Sequence, residues 1–258
     1  MRDITYPAVI VAAKTLFKVL GQKITVTGAE NIPREGGALL AFNHIGYVDF
    51  VYGGFAAQPA GGRLVRFMAK KEVFDHPVGG PIMRSLHHIP VDRGDGIASF
   101  HHAVDFLKKG ELVGIFPEAT ISRAMELKEI KSGAVRIAQE AGVPIIPVAL
   151  WGTQMMMTKD RPKDFKRGKR ISIIVGEPFV PTGDDANAET ERLHGILSGL
   201  VDEAVATFPE SEQPAGSWWV PARLGGGAPT LERAKEMDDE ERRERARRRA
   251  EKRAAKKK

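Results

Sequence analysis

Ala38-Leu-Leu-Ala-Phe42 runs straight into Asn43-His44-Ile-Gly-Tyr-Val-Asp49, and the change of character at residue 43 decides how the chain reads. Five consecutive apolar residues suit a strand buried on both faces, where neither side of the sheet meets water. The polar stretch that follows must bend. On one continuous helix, side chains five positions apart diverge by ~140°, and on one strand they point to opposite faces. His44 and Asp49 therefore meet only if His44 sits in a turn and Asp49 comes round on a following helix. Gly46 makes that bend easier.

Working outward, the same strand–turn–helix rhythm repeats. Before the central run, residues 23–26 read as a short strand and 30–37 as a polar turn. After it, helical spacing is expected over 47–55, 82–87, 99–109, 130–141 and 189–208, with Gly110 and Gly142 as stops. Apolar runs at 64–69, 88–91, 112–116, 143–150 and 171–175 alternate with them as strands; Pro90 excludes a helix interior at the second of these. Such alternation predicts an α/β fold: a single domain with a mixed, largely parallel sheet flanked by helices. The expected organisation is an amphipathic helix in residues 1–22, the domain proper in 23–208, and a Pro/Gly-rich linker with a basic tail in 209–258. That tail is expected to be disordered or a solvated helix, because it is nearly all charge and alanine.

Charge is unevenly placed. The formal net charge is +6, yet residues 242–258 hold 11 Lys or Arg against two Glu, so the rest of the chain is slightly acidic. The high pI belongs to the tail, and the body is not built for nucleic acid; no nucleic-acid partner is expected, although a nucleic-acid-binding protein using the tail is the alternative from a different class. There is no cysteine, which excludes a disulfide framework, a thiolate metal site and a cysteine nucleophile. No metal is expected either, since His44 and Asp49 have no neighbouring cluster of ligand residues. No secretory signal is read at the N-terminus, and no stretch reaches the ~18–20 apolar residues that span a bilayer. Residues 6–20 carry Lys14 and Lys18 on one face and Val9, Ala13, Leu16, Phe17 and Leu20 on the other. They fit either a helix lying in a lipid interface or one packed on the protein's own core. Trp218-Trp219 likewise fits an interfacial anchor or a packing clamp.

A neutral histidine steered by a carboxylate is the pair best suited to taking a proton near neutral pH. The spacing alone does not suffice: His87 and Asp92 repeat it, but Pro90 lies between them and favours an extended path, so His87 reads as structural. Three further blocks accompany the first, namely Ile89-Pro-Val-Asp92-Arg93, Phe116-Pro117-Glu118-Ala119-Thr120 and Val143-Pro144-Ile-Ile-Pro147-Val148. In this order and at these distances they resemble the 1-acyl-glycerol-3-phosphate acyltransferase family, the lysophosphatidate acyltransferase or PlsC-like proteins. The resemblance implies the glycerolipid acyltransferase fold and an O-acyltransferase. It would move a fatty acyl group from an acyl thioester to the free hydroxyl of 1-acyl-glycerol 3-phosphate, giving phosphatidate in phospholipid biosynthesis. It implies His44 and Asp49 as catalytic residues, and Arg93, Glu118, Thr120 and Lys70 as substrate-binding residues. Acyl-CoA or acyl-carrier protein would serve as co-substrate with no bound cofactor. Partners would be the thioester donor, lysophosphatidate and membrane lipids, at the cytoplasmic side of the cell membrane as a peripheral protein.

Two departures stand out. Ala119 occupies a position usually held by glycine, and Ile121 one usually held by arginine, so Arg123 or Lys128 is a candidate to supply the missing cation. The same chemistry on glycerol 3-phosphate, another lysophospholipid or a glycolipid therefore stays open. Backbone amides near Gly46 are the expected donors to an oxyanion.

Overall fold

The computed structural model describes residues 5–92, 94 and 96–255. Among them a seven-stranded sheet forms the centre: β1 (Lys23–Thr27), β2 (Ala38–Phe42), β3 (Val65–Lys70), β4 (Ile89–Val91), β5 (Leu112–Ile115), β6 (Ile145–Trp151) and β7 (Arg170–Val175). Their order across the sheet is β1-β7-β6-β2-β5-β3-β4. All neighbours are parallel except β6 and β7, so the sheet is mixed and largely parallel, with β2 near its middle.

Period-2 alternation along β2 explains why ALLAF is apolar throughout. Leu40 and Phe42 face one layer with Tyr52, Phe67, Leu112 and Val148, while Leu39 and Ala41 face the other with Leu107, Val113, Val135 and Leu197. The first layer is covered by helices α1 (Thr5–Val19) and α2 (Asp49–Gly53). Two short helices, α3 (Lys71–Phe74) and α4 (Gly79–Ser85), connect β3 to β4. The second layer is covered by α5 (Gly96–Lys108), α6 (Gly133–Ala141) and α7 (Ala186–Ala206). Gly142 closes α6 at φ 67°, the left-handed conformation that glycine adopts without strain. Gly114 has a different reason: a Cβ there would come within 2.6 Å of the Phe67 ring, which crosses the strand.

Helix α1 packs on the protein's own core, one of the two readings its sequence allowed. Tyr6 and Phe17 are buried, Tyr6 Oη donates to the Val65 carbonyl at 2.8 Å, and Phe17 stacks on Tyr52 at 4.7 Å. The opposite side remains apolar and open, with Val11 63%, Leu16 54% and Val19 58% exposed. Leu16, expected on one face with Phe17, is exposed while Phe17 is buried. No helix of the described residues is long and apolar enough to cross a membrane.

Residues 209–229, read from composition as a linker, are laid against the body. Trp219, Val220 and Ala228 are buried with Trp151, Val205 and Phe208. Trp219 thus acts as the packing clamp, 6.2 Å from the Trp151 ring and 5.9 Å from Phe208. Trp218 carries Arg161 over its ring at 4.8 Å. Helix α8 (Leu231–Ala255) follows, buries Ala234 against the body, and is exposed from residue 242 onward wherever its side chains are described.

Candidate active site

Strands β2, β3 and β5 carry candidate site residues at the same edge of the sheet, the C-terminal one, which is where open α/β sheets present ligand sites. β2 ends in Asn43-His44 and β5 in Phe116-Pro117-Glu118. Phe67 is in register with Gly114, so Lys70, at the end of β3, reaches the level of Pro117. Arg93 follows β4 in sequence but lies outside the described residues.

The bend after Phe42 is held on three sides. Asn43, 1% exposed, exchanges two hydrogen bonds with the Leu150 backbone: Nδ2 donates to the carbonyl at 3.0 Å, and Oδ1 accepts the amide at 2.7 Å. The Ser122 amide donates to the His44 carbonyl at 2.7 Å, and the Tyr47 amide to the Met157 carbonyl at 2.8 Å. Thr158 Oγ1 donates to the Ile45 carbonyl at 2.6 Å. These contacts fix a path no local propensity would choose.

Asp49 opens α2 and turns back beneath the bend. Its Oδ2 accepts from His44 Nδ1, the Ile45 amide and the Gly46 amide, each at 2.8 Å; its Oδ1 accepts from Thr153 Oγ1 at 2.5 Å. The carboxylate is fully buried, and these four donors satisfy it. An acceptor-only carboxylate requires the proton on Nδ1, which leaves Nε2 as the basic nitrogen. The His44 side chain is 21% exposed and lies against Phe116, ring centroids 4.4 Å apart.

Of the backbone amides expected to receive an oxyanion, those of Ile45 and Gly46 donate to Asp49 and that of Tyr47 to the Met157 carbonyl.

Glu118 lies under the bend, not in the open site. It is 6% exposed, accepting the His44 amide at 2.6 Å on Oε1 and the Lys128 amide at 3.0 Å on Oε2. Burial pushes its carboxyl up to about 8, against the pull of those two amides and of the Lys128 charge. Thr120 Oγ1 accepts from Lys128 Nζ at 2.6 Å. Lys70 is half-exposed and pairs with Glu72 at 3.0 Å.

Ile121, in the place of the usual arginine, is buried. A cationic cluster stands beside it instead. Arg123 pairs with Asp160 and Asp238, and with Glu241 at 3.0 Å; Lys128 reaches Asp238 at 3.1 Å and Lys159 does so at 2.9 Å. Burial works to raise the Asp238 carboxyl, but Lys159 and Lys128 outweigh it and hold it below the usual range. The two departures had pointed to Arg123 and Lys128. Nothing in the sequence marked Lys159, Thr153 or the acidic residues of α8, which join the site from 79 to 118 positions away.

The second His–Asp pair behaves differently. Asp92 accepts from Lys71 Nζ at 2.8 Å and from the Gly94 amide at 2.9 Å, while His87 has φ 53° at the end of α4. His88 is buried and accepts the Phe67 amide at 3.0 Å; burial, then Arg66 and His87, push it down to about 4, so it is a neutral core residue.

Comparison with known proteins agrees with the fold and the blocks. A family model described as Acyltransferase matches residues 23–151, half of the chain. The 1-acyl-sn-glycerol-3-phosphate acyltransferase of Bacillus subtilis is 34% identical over 197 residues, covering 73% of this chain and 93% of its own. That of Borreliella burgdorferi is 30% identical over 194 residues, covering 73% and 74%. Among solved structures, the 1-acyl-sn-glycerophosphate acyltransferase PlsC from Thermotoga maritima superposes with a TM-score of 0.66 at 24% identity, over 79% of this chain and 80% of that one, which speaks for the fold. A mixed sheet of this order, a His–Asp bend at its C-terminal edge and relatives of this closeness place the chain in the acyltransferase family.

Proposed function

We propose that the protein transfers a fatty acyl group from an acyl thioester to the free hydroxyl of 1-acyl-glycerol 3-phosphate, forming phosphatidate. One observation carries the chemistry: His44 Nδ1 is tied to a fully buried Asp49 at 2.8 Å, while the ring keeps an open side. In the proposed step, Nε2 takes the proton of the acceptor hydroxyl as its oxygen attacks the thioester carbonyl. Asp49 stabilises the imidazolium that forms. The tetrahedral oxyanion then collapses, the carbon–sulfur bond breaks, and the imidazolium returns its proton to the departing thiolate. The acyl carrier, coenzyme A or acyl-carrier protein, is a co-substrate, and no resident cofactor takes part.

Lys70, Thr120 and Arg93 follow three neighbouring strands and are assigned to the acceptor. Glu118 is assigned a positioning role, since both its oxygens brace backbone amides. The substrates carry long acyl chains, and the surface suits their delivery from a lipid interface. Val11, Leu16 and Val19 of α1 are exposed beside Lys14 and Lys18, and Tyr47 and Phe50 are 45% and 40% exposed next to the bend. The basic half of α8 adds attraction to anionic lipid, about 1 kcal/mol per cation near the surface. We place the protein at the cytoplasmic face of the cell membrane, as a peripheral protein.

The decisive experiment is an assay of purified protein with lysophosphatidate and acyl-CoA, wild type beside His44→Ala. Loss of the general base should lower turnover ~10²–10⁴-fold with an unchanged circular dichroism spectrum. Absence of transfer by the wild type to any glycerol-phosphate acceptor overturns the proposal.

A further inference from the structure

Helix α8 is divided by charge. Residues 231–241 carry six acidic residues against two basic ones, whereas 242–255 carry eight basic against two acidic. The acidic half lies on the body and the described side chains of the basic half are exposed. Ala234, Asp238 and Glu241 follow one another at helical spacing, so they share the face turned to the protein. No α8 residue belongs to a core cluster of the described residues, and the helix is held largely by ion pairs.

Those ion pairs engage three cations that are more buried than their partners. Side-chain exposure is 7% for Arg123, 16% for Lys128 and 11% for Lys159, against 23% for Asp238 and 28% for Glu241. Without α8, the ion pairs among the described residues leave the three cations Asp160, a surplus of two charges. A phosphomonoester carries about −1.5 to −2 at neutral pH and three acceptor oxygens, which matches that surplus. The cluster also borders the reacting centre: Lys128 Nζ touches Thr120 Oγ1, and Glu118 joins the Lys128 amide to that of His44.

We infer that Arg123, Lys128 and Lys159 form a phosphomonoester site, and that Asp238 and Glu241 plug it until a phosphate displaces them. The plug is a competitor built into the chain, with carboxylates standing where phosphate oxygens would bind. Opening leaves buried cations without partners unless a phosphate takes over their charges, so release is coupled to phosphate binding. The assignment of the phosphate to the acyl acceptor rests on the proposed function; the plug itself does not.

The test uses the full chain. Its lack of cysteine permits spin labels at Glu129→Cys and Lys235→Cys, both exposed. Label separation is measured in chloride, in glycerol 3-phosphate at matched ionic strength, and with phosphatidylcholine vesicles with and without lysophosphatidate. A longer separation is expected with either phosphate source. Opening by glycerol 3-phosphate assigns the site to the headgroup itself, and opening only by lysophosphatidate vesicles assigns it to the headgroup presented on a surface. In parallel, Asp238→Asn/Glu241→Gln should lower the KM for lysophosphatidate roughly tenfold, within the usual range for coupled sites. A separation that responds to neither source, or a double variant with wild-type KM, overturns the inference. If no form of the protein turns over, the acyl-transfer reading fails, and the label measurement still decides the plug.

Discussion

Glu118 holds the backbone amide of His44 at 2.6 Å from a carboxyl that is itself buried and pushed up to about 8. The folded protein thus keeps a proton there that the unfolded chain releases above its ordinary value of 4.5, so stability falls as pH rises until the folded group ionises near 8. His88, pushed down to about 4, acts in the opposite sense below its ordinary 6.5, where stability is lost as pH falls. The two oppose each other at lower pH, and Glu118 is exposed to view between pH 6.5 and 8. Chemical denaturation of wild type and Glu118→Gln across that window should show a wild-type decline of up to ~1.4 kcal/mol per pH unit that the variant lacks. Equal slopes would remove Glu118 as its source.

Asp49→Asn should damage both turnover and fold. An amide keeps one acceptor oxygen, yet the carboxylate serves four donors, two of them backbone amides. Held at the Oδ2 position, the amide oxygen keeps three of these donors and the NH₂ turns to Thr153 Oγ1, but every bond loses its charge assistance, at a cost of about 1 kcal/mol or more. Turnover should fall at least ~10²-fold, because a neutral amide no longer stabilises the imidazolium that forms on His44. A variant with native stability and wild-type kcat would contradict the geometry.

Thr153→Val separates support from catalysis. The shape is preserved, but Asp49 Oδ1 loses its hydroxyl partner inside the protein. Stability should drop by about 1–3 kcal/mol, with a smaller loss of kcat than at Asp49, since His44 Nδ1 keeps its bond to a charged carboxylate. Thermal melts alongside steady-state kinetics check both.

Much of this was readable in the chain. ALLAF announced a doubly buried strand, and Gly142 marked a helix end, because those signals are local and periodic. The His44–Asp49 meeting was implied by the four blocks together; geometry set its condition, a turn at His44 followed by a helix, since neither a straight helix nor a strand brings positions five apart together. Thr153 was invisible for the opposite reason: it reaches Asp49 from 104 residues away, and sequence separation hides such contacts. The packing of Trp219 was obscured by composition, as a Pro/Gly/Ser-rich stretch carries no periodicity even when it lies on a core. Arg93 lies outside the described residues, so its expected place beside the phosphate rests on the block it belongs to.

Ala119→Gly should stabilise the protein. Ala119 has φ 60°, a left-handed conformation that costs an L-residue roughly 1–2 kcal/mol. Relief of that strain, offset by the greater freedom of glycine when unfolded, should raise Tm by a few degrees. An unchanged or lower Tm by calorimetry would show that the loop does not store strain.

Leu16→Glu with Val19→Glu should release the protein from lipid without disturbing its fold. Both side chains are more than half exposed and contribute nothing to the buried side of α1. Co-sedimentation with anionic vesicles should fall several-fold, about 25 cal/mol being lost per Å² of apolar contact, while the melting curve stays in place. Full retention on vesicles would count against α1 as a membrane contact.

Asn43 has a further bearing on how the enzyme fails. Its two bonds to Leu150 bind the bend to the middle of the sheet, among side chains with no exposure at all. Regions anchored there exchange their amide hydrogens only through global opening. The working centre is therefore not a loose rim that melts ahead of the scaffold. Heat inactivation and loss of tertiary structure should follow one curve, and an intermediate that is inactive while its scaffold is still folded has no place on that path.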